Sequence, residues 1–216
     1  MMNQNVLEIY MKKHFPGLIL ESPLFYQSSA GLRFELGMPY RGIENPNYFS
    51  HVQVRAVMLF EEVFDDNIDI LVVVKTYKSV EPCICFNQGE EAFPQYLRNK
   101  SLLDNILEVE TEQHFEENGD MSGVSYEYIL KCKKNDIDYK GIFAATAHAD
   151  FGLEPYISDA VFFINMDNNV IYYMYDDRGL DIVSEDKRTL IEIYQKYNDW
   201  ILDYDRAKMD SVFKDL

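Results

Sequence analysis

Between Ile68 and Tyr77 the chain reads Ile-Asp-Ile-Leu-Val-Val-Val-Lys-Thr-Tyr. It is almost continuously apolar and rich in β-branched residues, which crowd a helix and suit a pleated strand. The run is too short to span a bilayer. An alternating strand needs cover on one face, but this one carries apolar side chains on both. It therefore belongs in the middle of a sheet buried from both sides.

The neighbouring segments say how such a sheet is built. Leu107–Phe115 and Val124–Cys132 read as two arms of a hairpin around Asn118-Gly119, a strong turn signal. Putting Leu107 and Val109 on one face with Val124, Tyr126, Tyr128 and Leu130 predicts a register that sets Val109 against Leu130 and Glu108 against Lys131. Val161–Met166 and Val170–Tyr175 form a second hairpin around Asp167-Asn168-Asn169, and Leu180–Val183 follows as a third strand. Gly31–Gly37 alternates Leu32, Phe34 and Leu36 with Arg33 and Glu35, a strand with one wet face.

Helical spacing appears over Asn5–His14, after Asn45-Pro46, over Glu90–Leu97, from Asp136 or Asp138 to His148, after Ser184, and from about Asp205 to Phe213. The segment after Asn45-Pro46 is ambiguous, because His51–Val57 also alternates at period two. Helices interleaved with hairpins predict an α+β fold: a mostly antiparallel sheet with helices packed on one side. Residues 1–216 form one domain in this reading, with a soft boundary near residues 88–101.

Charge narrows the function classes. The 216 residues hold 20 Lys and Arg against 37 Asp and Glu, a formal net charge of −17. Residues 1–108 contribute −5 and residues 109–216 contribute −12. Such a field repels phosphate backbones and anionic leaflets, so neither nucleic acid nor membrane is an expected partner. A basic protein is steered in. Three cysteines, Cys83, Cys85 and Cys132, are too few for a disulfide framework. The spacing of the first two is too tight for a zinc ribbon. Buried thiols and the lack of a signal-like N-terminus lead us to expect a cytoplasmic protein.

No nucleophile elbow, P-loop, dinucleotide fingerprint or His-Glu-x-x-His occurs, so no catalytic residue and no cofactor is assigned. Four constellations hold the chemistry. The segment Tyr175–Asp181 groups Asp176, Asp177, Arg178 and Asp181; turn formation accounts for Asp176, Asp177 and Gly179, the last through a positive φ, while a functional reading makes Asp176, Arg178 and Asp181 a surface charge constellation that contacts a ligand or partner. The block Asn198–Arg206 sets Trp200 among Asp199, Asp203 and Asp205, which suits a helix junction capped by Asp203 or Asp205. His148 and Asp150 stand at a helix end, where His148 complements the helix dipole. Glu108, Glu110 and Glu112 line the exposed face of a strand.

These residues look familiar as a set. Ile137-Asp138-Tyr139-Lys140-Gly141-Ile142, Phe163-Ile164-Asn165, Met174–Asp181 and Lys196–Arg206 resemble an uncharacterised bacterial family, domain-of-unknown-function family 3885. Arg33–Gly37, Arg55 and Phe60–Phe64 resemble its N-terminal part, so the likeness spans nearly the whole chain. It implies a bacterial cytoplasmic protein and carries over no catalytic residue.

Function then rests on charge. The leading expectation is a non-enzymatic acidic module that presents either the Glu108–Glu112 ridge or the Asp176–Asp181 turn to a basic protein, for instance by plugging the cleft of a nucleic-acid-processing toxin as an immunity protein does. Asp176, Asp177, Asp203 and Asp205 gathered around a divalent cation make a metal-dependent hydrolase the alternative. A small-molecule sensor with an aromatic pocket is another, suggested by 16 Tyr and 14 Phe.

Overall fold

The central run does sit at the centre. In the computed structural model, strand β2 (Asp69–Ser79) pairs with β4 (Met121–Lys133) on one side and β5 (Ala160–Asn165) on the other. Val72, for example, lies between Leu130 and Phe163. Leu71 and Val73 point to one face, Ile70, Val72 and Val74 to the other, and all five are buried. The structure describes residues 6–40, 42–79, 89–115 and 121–214, with residues 89–91 as backbone only. Asn118-Gly119, Cys83 and Cys85 lie outside the described residues.

The sheet is seven-stranded and antiparallel throughout, in the order β1-β7-β6-β5-β2-β4-β3. Its other strands are β1 (Ala30–Glu35), β3 (Leu107–Phe115), β6 (Val170–Met174) and β7 (Gly179–Ser184). Strands from both sides of residues 88–101 interleave in it. This is an α+β fold, as the alternation of hairpins and helical segments predicts.

The larger core lies under α2 (Tyr48–Val63), α3 (Gly89–Tyr96), α4 (Tyr139–His148) and α5 (Ile191–Lys196), and α6 (Arg206–Phe213) packs beside β1. Helix α2 resolves the ambiguity after Pro46. Val52, Ala56, Leu59, Phe60 and Val63 are buried, while Val54 and Met58 face solvent. A strand would have placed Val52, Val54 and Ala56 together. The helix begins two residues later than Asn45-Pro46 suggests, because Asn45 Oδ1 accepts from the Asn47 N–H at 2.9 Å in a turn of its own. Phe60 anchors this core, with ring centroids 4.3–5.3 Å from those of Phe64, Tyr139, Phe143, Phe163 and Tyr172.

The opposite face is covered as well, as a doubly apolar β2 requires. Leu7 and Tyr10 of α1 (Val6–His14), with Phe15, Leu18, Leu20 and Leu24, pack on Leu71, Val73, Ile129, Phe162, Ile164 and Ile171.

The β3–β4 register departs from expectation. Leu107 faces Ile129, Glu108 faces Tyr128 and Val109 faces Glu127; Val109 does not meet Leu130, nor Glu108 Lys131. The cause is that β4, like β2, is apolar on both faces. Tyr128 and Leu130 join the core under the helices, while Ile129 joins the α1 side, where Leu107 and Val109 also pack. Alternation along β4 therefore does not single out the face that receives β3. A register shift between Glu110 and Glu112 then brings Glu112 opposite Ser125.

Candidate functional site

The Tyr175–Arg178 turn is held by its own side chains. Asp176 Oδ1 accepts from the backbone N–H groups of Arg178 at 2.8 Å and Gly179 at 3.0 Å. The same carboxylate holds the Arg178 guanidinium, with Nε 2.8 Å from Oδ2. Arg178 Nη2 also reaches Asp150 at the end of α4, at 3.4 Å. Asp177 is buried and accepts a hydrogen bond from the Tyr48 hydroxyl. Burial raises its pKa above the ordinary carboxyl value, and the Tyr48 bond opposes that rise. Gly179 has no positive φ. A Cβ there would run into the Tyr175 ring, so close approach is what the position requires.

The turn borders a cleft of about 310 Å3, lined by Asp177 and Arg178 together with Glu35, Met38, Tyr48 and Phe151. One carboxylate oxygen each from Asp150, Asp176 and Asp177 lies within 4.8 Å of the others. Arg178 pairs with both Asp150 and Asp176, and Tyr48 donates to Asp177, so each of these carboxylates already has a partner.

Asp181 is not part of this surface. It is fully buried and forms a bidentate pair with Arg33, at 2.7 Å to Nε and 2.9 Å to Nη2. It also accepts from the Phe25 N–H at 2.9 Å. Asp205 approaches Arg33 Nη1 at 3.4 Å and accepts from the Tyr26 hydroxyl at 2.7 Å. The Phe25, Tyr26 and Tyr175 rings stand around the guanidinium, with centroids 4.9–5.6 Å from Cζ. Burial pushes the Asp181 carboxyl up and the Arg33 pair pulls it down. This corrects two expectations. Arg33 does not face water from a half-wet strand, and Asp205, although it precedes α6, spends its carboxylate on Arg33 and Tyr26 without capping the helix.

Asp203 is exposed and pairs with Arg206 at 3.0 Å. Trp200 is half-buried beside Tyr197, with the Arg55 guanidinium 4.7 Å above its ring. Among the described residues, no ligand set joins Asp176 or Asp177 to Asp203 or Asp205; the aspartate that meets the turn is Asp150. The aromatic surplus, meanwhile, is largely spent in the Phe60 core.

The acidic strand is different. Glu108, Glu110 and Glu112 are exposed, and none is in an ion pair among the described residues. Glu108 and Glu110 share a face with Tyr126 and Tyr128, while the register shift sends Glu112 to the face of Ser125. β3 ends the sheet, and no described strand pairs with its outer edge. On the α1 side a second cleft of about 310 Å3 opens between Leu7, Met11, Leu18, Leu20 and Val109. Its lining comes from α1, residues 18–20, β3 and β4, segments too far apart in sequence for local periodicity to reveal.

One titratable group escaped sequence reasoning. Asp159, just before β5, has an Oδ2 that is buried without a hydrogen-bond partner among the described residues. Burial pushes its carboxyl up to about 6. A raised carboxyl favours the fold below its unfolded pKa near 3.8, and that contribution is lost as pH rises through about 6. Asp159→Asn is therefore expected to flatten the stability profile between these values. It should also gain about 1–3 kcal/mol at pH 8, read by urea denaturation across pH. An unchanged pH slope would refute this.

The chain is 27% identical over 206 residues to the uncharacterised protein YnaE of Bacillus subtilis (strain 168), covering 90% of this chain and 96% of the relative. No solved structure matches significantly. No helix among the described residues is long and apolar enough to cross a membrane. Residues 7–205 match the domain of unknown function DUF3885, and the chain belongs to that family.

Proposed function

We propose that this chain is a non-catalytic binding module of the bacterial cytoplasm, whose β3 carboxylates receive a basic protein. One observation carries the reading. Asp176, Asp177, Asp181, Asp203 and Asp205 are engaged by Arg178, Tyr48, Arg33, Tyr26 and Arg206, whereas Glu108, Glu110 and Glu112 are exposed and outside the ion pairs found among the described residues. With a net charge of −17, that edge attracts a cationic surface at long range and repels a phosphate backbone. A plug for the basic cleft of a nucleic-acid-processing toxin is one form such a module takes.

The test compares capture from the native host by wild type, Glu108→Gln/Glu110→Gln/Glu112→Gln and Asp176→Asn. A basic protein should be retained at low salt and released at high salt, since exposed charges are screened within about 10 Å at 0.1 M. The triple variant should lose it, while Asp176→Asn, whose carboxylate serves the turn, should keep it. Retention by the triple variant, or no basic protein captured at low salt, would overturn the proposal.

A further inference from the structure

The open edge of β3 and the cleft beside it have a geometry that charge alone does not describe. In an antiparallel ladder every second residue of an edge strand turns its N–H and C=O outward, where an arriving strand can pair. Among the described residues that edge of β3 is unpaired over Leu107–Phe115. Its two faces differ. On the α1 side, Leu107 and Val109 lead into the cleft between Leu7, Met11 and Leu20, whose rim also carries Glu8, Thr111 and Glu127, the last paired with Lys75. On the helix side, Glu108 and Glu110 stand beside Tyr126. A strand laid against β3 would place alternate side chains over these two surfaces.

We infer that the β3 edge binds its basic partner by strand addition, taking an extended segment that alternates apolar residues with lysine or arginine. This rests on the proposed function and specifies how that site works. Apolar side chains opposite Leu107 and Val109 would reach the mouth of the cleft. Cations on intervening positions would face Glu108 and Glu110, directly opposed charges of opposite sign being the stabilising cross-strand arrangement. Main-chain hydrogen bonds would supply affinity, and the alternating faces specificity.

A second copy of this chain is the wrong occupant for this edge. Two β3 strands side by side would oppose glutamates to glutamates, a destabilising cross-strand pairing. The Thr111 register shift further twists the edge away from a straight copy of itself. Both devices block self-pairing, and neither disfavours a lysine-bearing strand over Leu107–Glu110.

The experiment titrates the full chain with four synthetic peptides: alternating lysine and valine, the same composition with lysines and valines in separate blocks, the fully N-methylated alternating peptide, and alternating glutamate and valine. The lysine–valine alternator should bind best and slow amide exchange within 107–110, ahead of the register shift. The N-methylated peptide should bind about tenfold more weakly or worse, the cost of several lost main-chain hydrogen bonds, and the blocked peptide, which keeps those bonds, should also bind more weakly because its lysines and valines no longer match the two faces. Glu108→Lys/Glu110→Lys should transfer the preference to the glutamate alternator. Equal binding of all three lysine peptides would overturn strand addition while leaving an acidic docking surface. No binding of any lysine peptide at low salt would overturn both. Protection of 107–115 that grows with protein concentration in the absence of peptide would identify a second copy as the occupant and overturn the inference.

Discussion

Arg33→Met is expected to cost the fold about 3–5 kcal/mol, the usual penalty for removing one partner of a buried ion pair. Asp181 is fully buried, and two of its interactions come from the Arg33 fork. Without that fork its charge faces the Phe25 N–H alone, with Asp205 adding repulsion. A loss of that size approaches the whole stability of a marginal domain. Arg33→Lys should recover only part of it, because an ammonium cannot reproduce the bidentate geometry. Arg33→Met/Asp181→Leu should recover most of it, since replacing both ions by apolar groups removes their desolvation penalty, leaving the Phe25 N–H and the Asp205 carboxylate, which also loses Arg33, to account for the rest. Urea midpoints of the three variants test this. A loss below about 1 kcal/mol for Arg33→Met, or no recovery in the pair, would show that the cluster is better solvated than its burial implies.

This cluster marks where the sequence stops being legible. Strand positions, the antiparallel sheet and the helical segments follow from local periodicity, which is why β2, β5, β6 and β7 fall close to their expected ranges. Periodicity carries no information about which charge is spent on which. Arg33 alternates with Leu32 and Phe34 as a solvent-facing residue should, yet the β1–β7 register sets it directly against Asp181, 148 positions away. Asp176 and Asp177 read as turn residues, and Asp176 is one; nothing local shows that Tyr48 will reach Asp177 or that Arg178 will reach Asp150. The acidic edge is the reverse case. Three glutamates at alternate positions with no nearby cation are visible at once, and the fold leaves them exposed. The β3–β4 register was illegible for a further reason, since a strand apolar on both faces fits a partner in either parity.

Phe60→Ala is expected to cost about 3–5 kcal/mol, and Phe60→Leu roughly 1–2 kcal/mol, because alanine leaves a cavity where leucine leaves a partial one. Phe60 is fully buried, and truncation removes a ring contact from each of five neighbours, stacked for Phe64 and Tyr139 and edge-to-face for Phe143, Phe163 and Tyr172. Tyr172 is the least able to follow the collapse, since its hydroxyl is tied to the Ala56 carbonyl at 2.8 Å. The rings around Phe60 and the groups around Arg33 share no member, so Phe60→Leu/Arg33→Lys should show additive losses. Phe60 also separates folding from binding. Its ring contacts do not include β3, so Phe60→Leu should bind the alternating lysine peptide as wild type does wherever it is folded. Glu108→Gln/Glu110→Gln should do the opposite, keeping stability and losing the peptide. Should Phe60→Leu weaken peptide binding at a temperature where circular dichroism shows it fully folded, the independence of core and edge assumed here would be false.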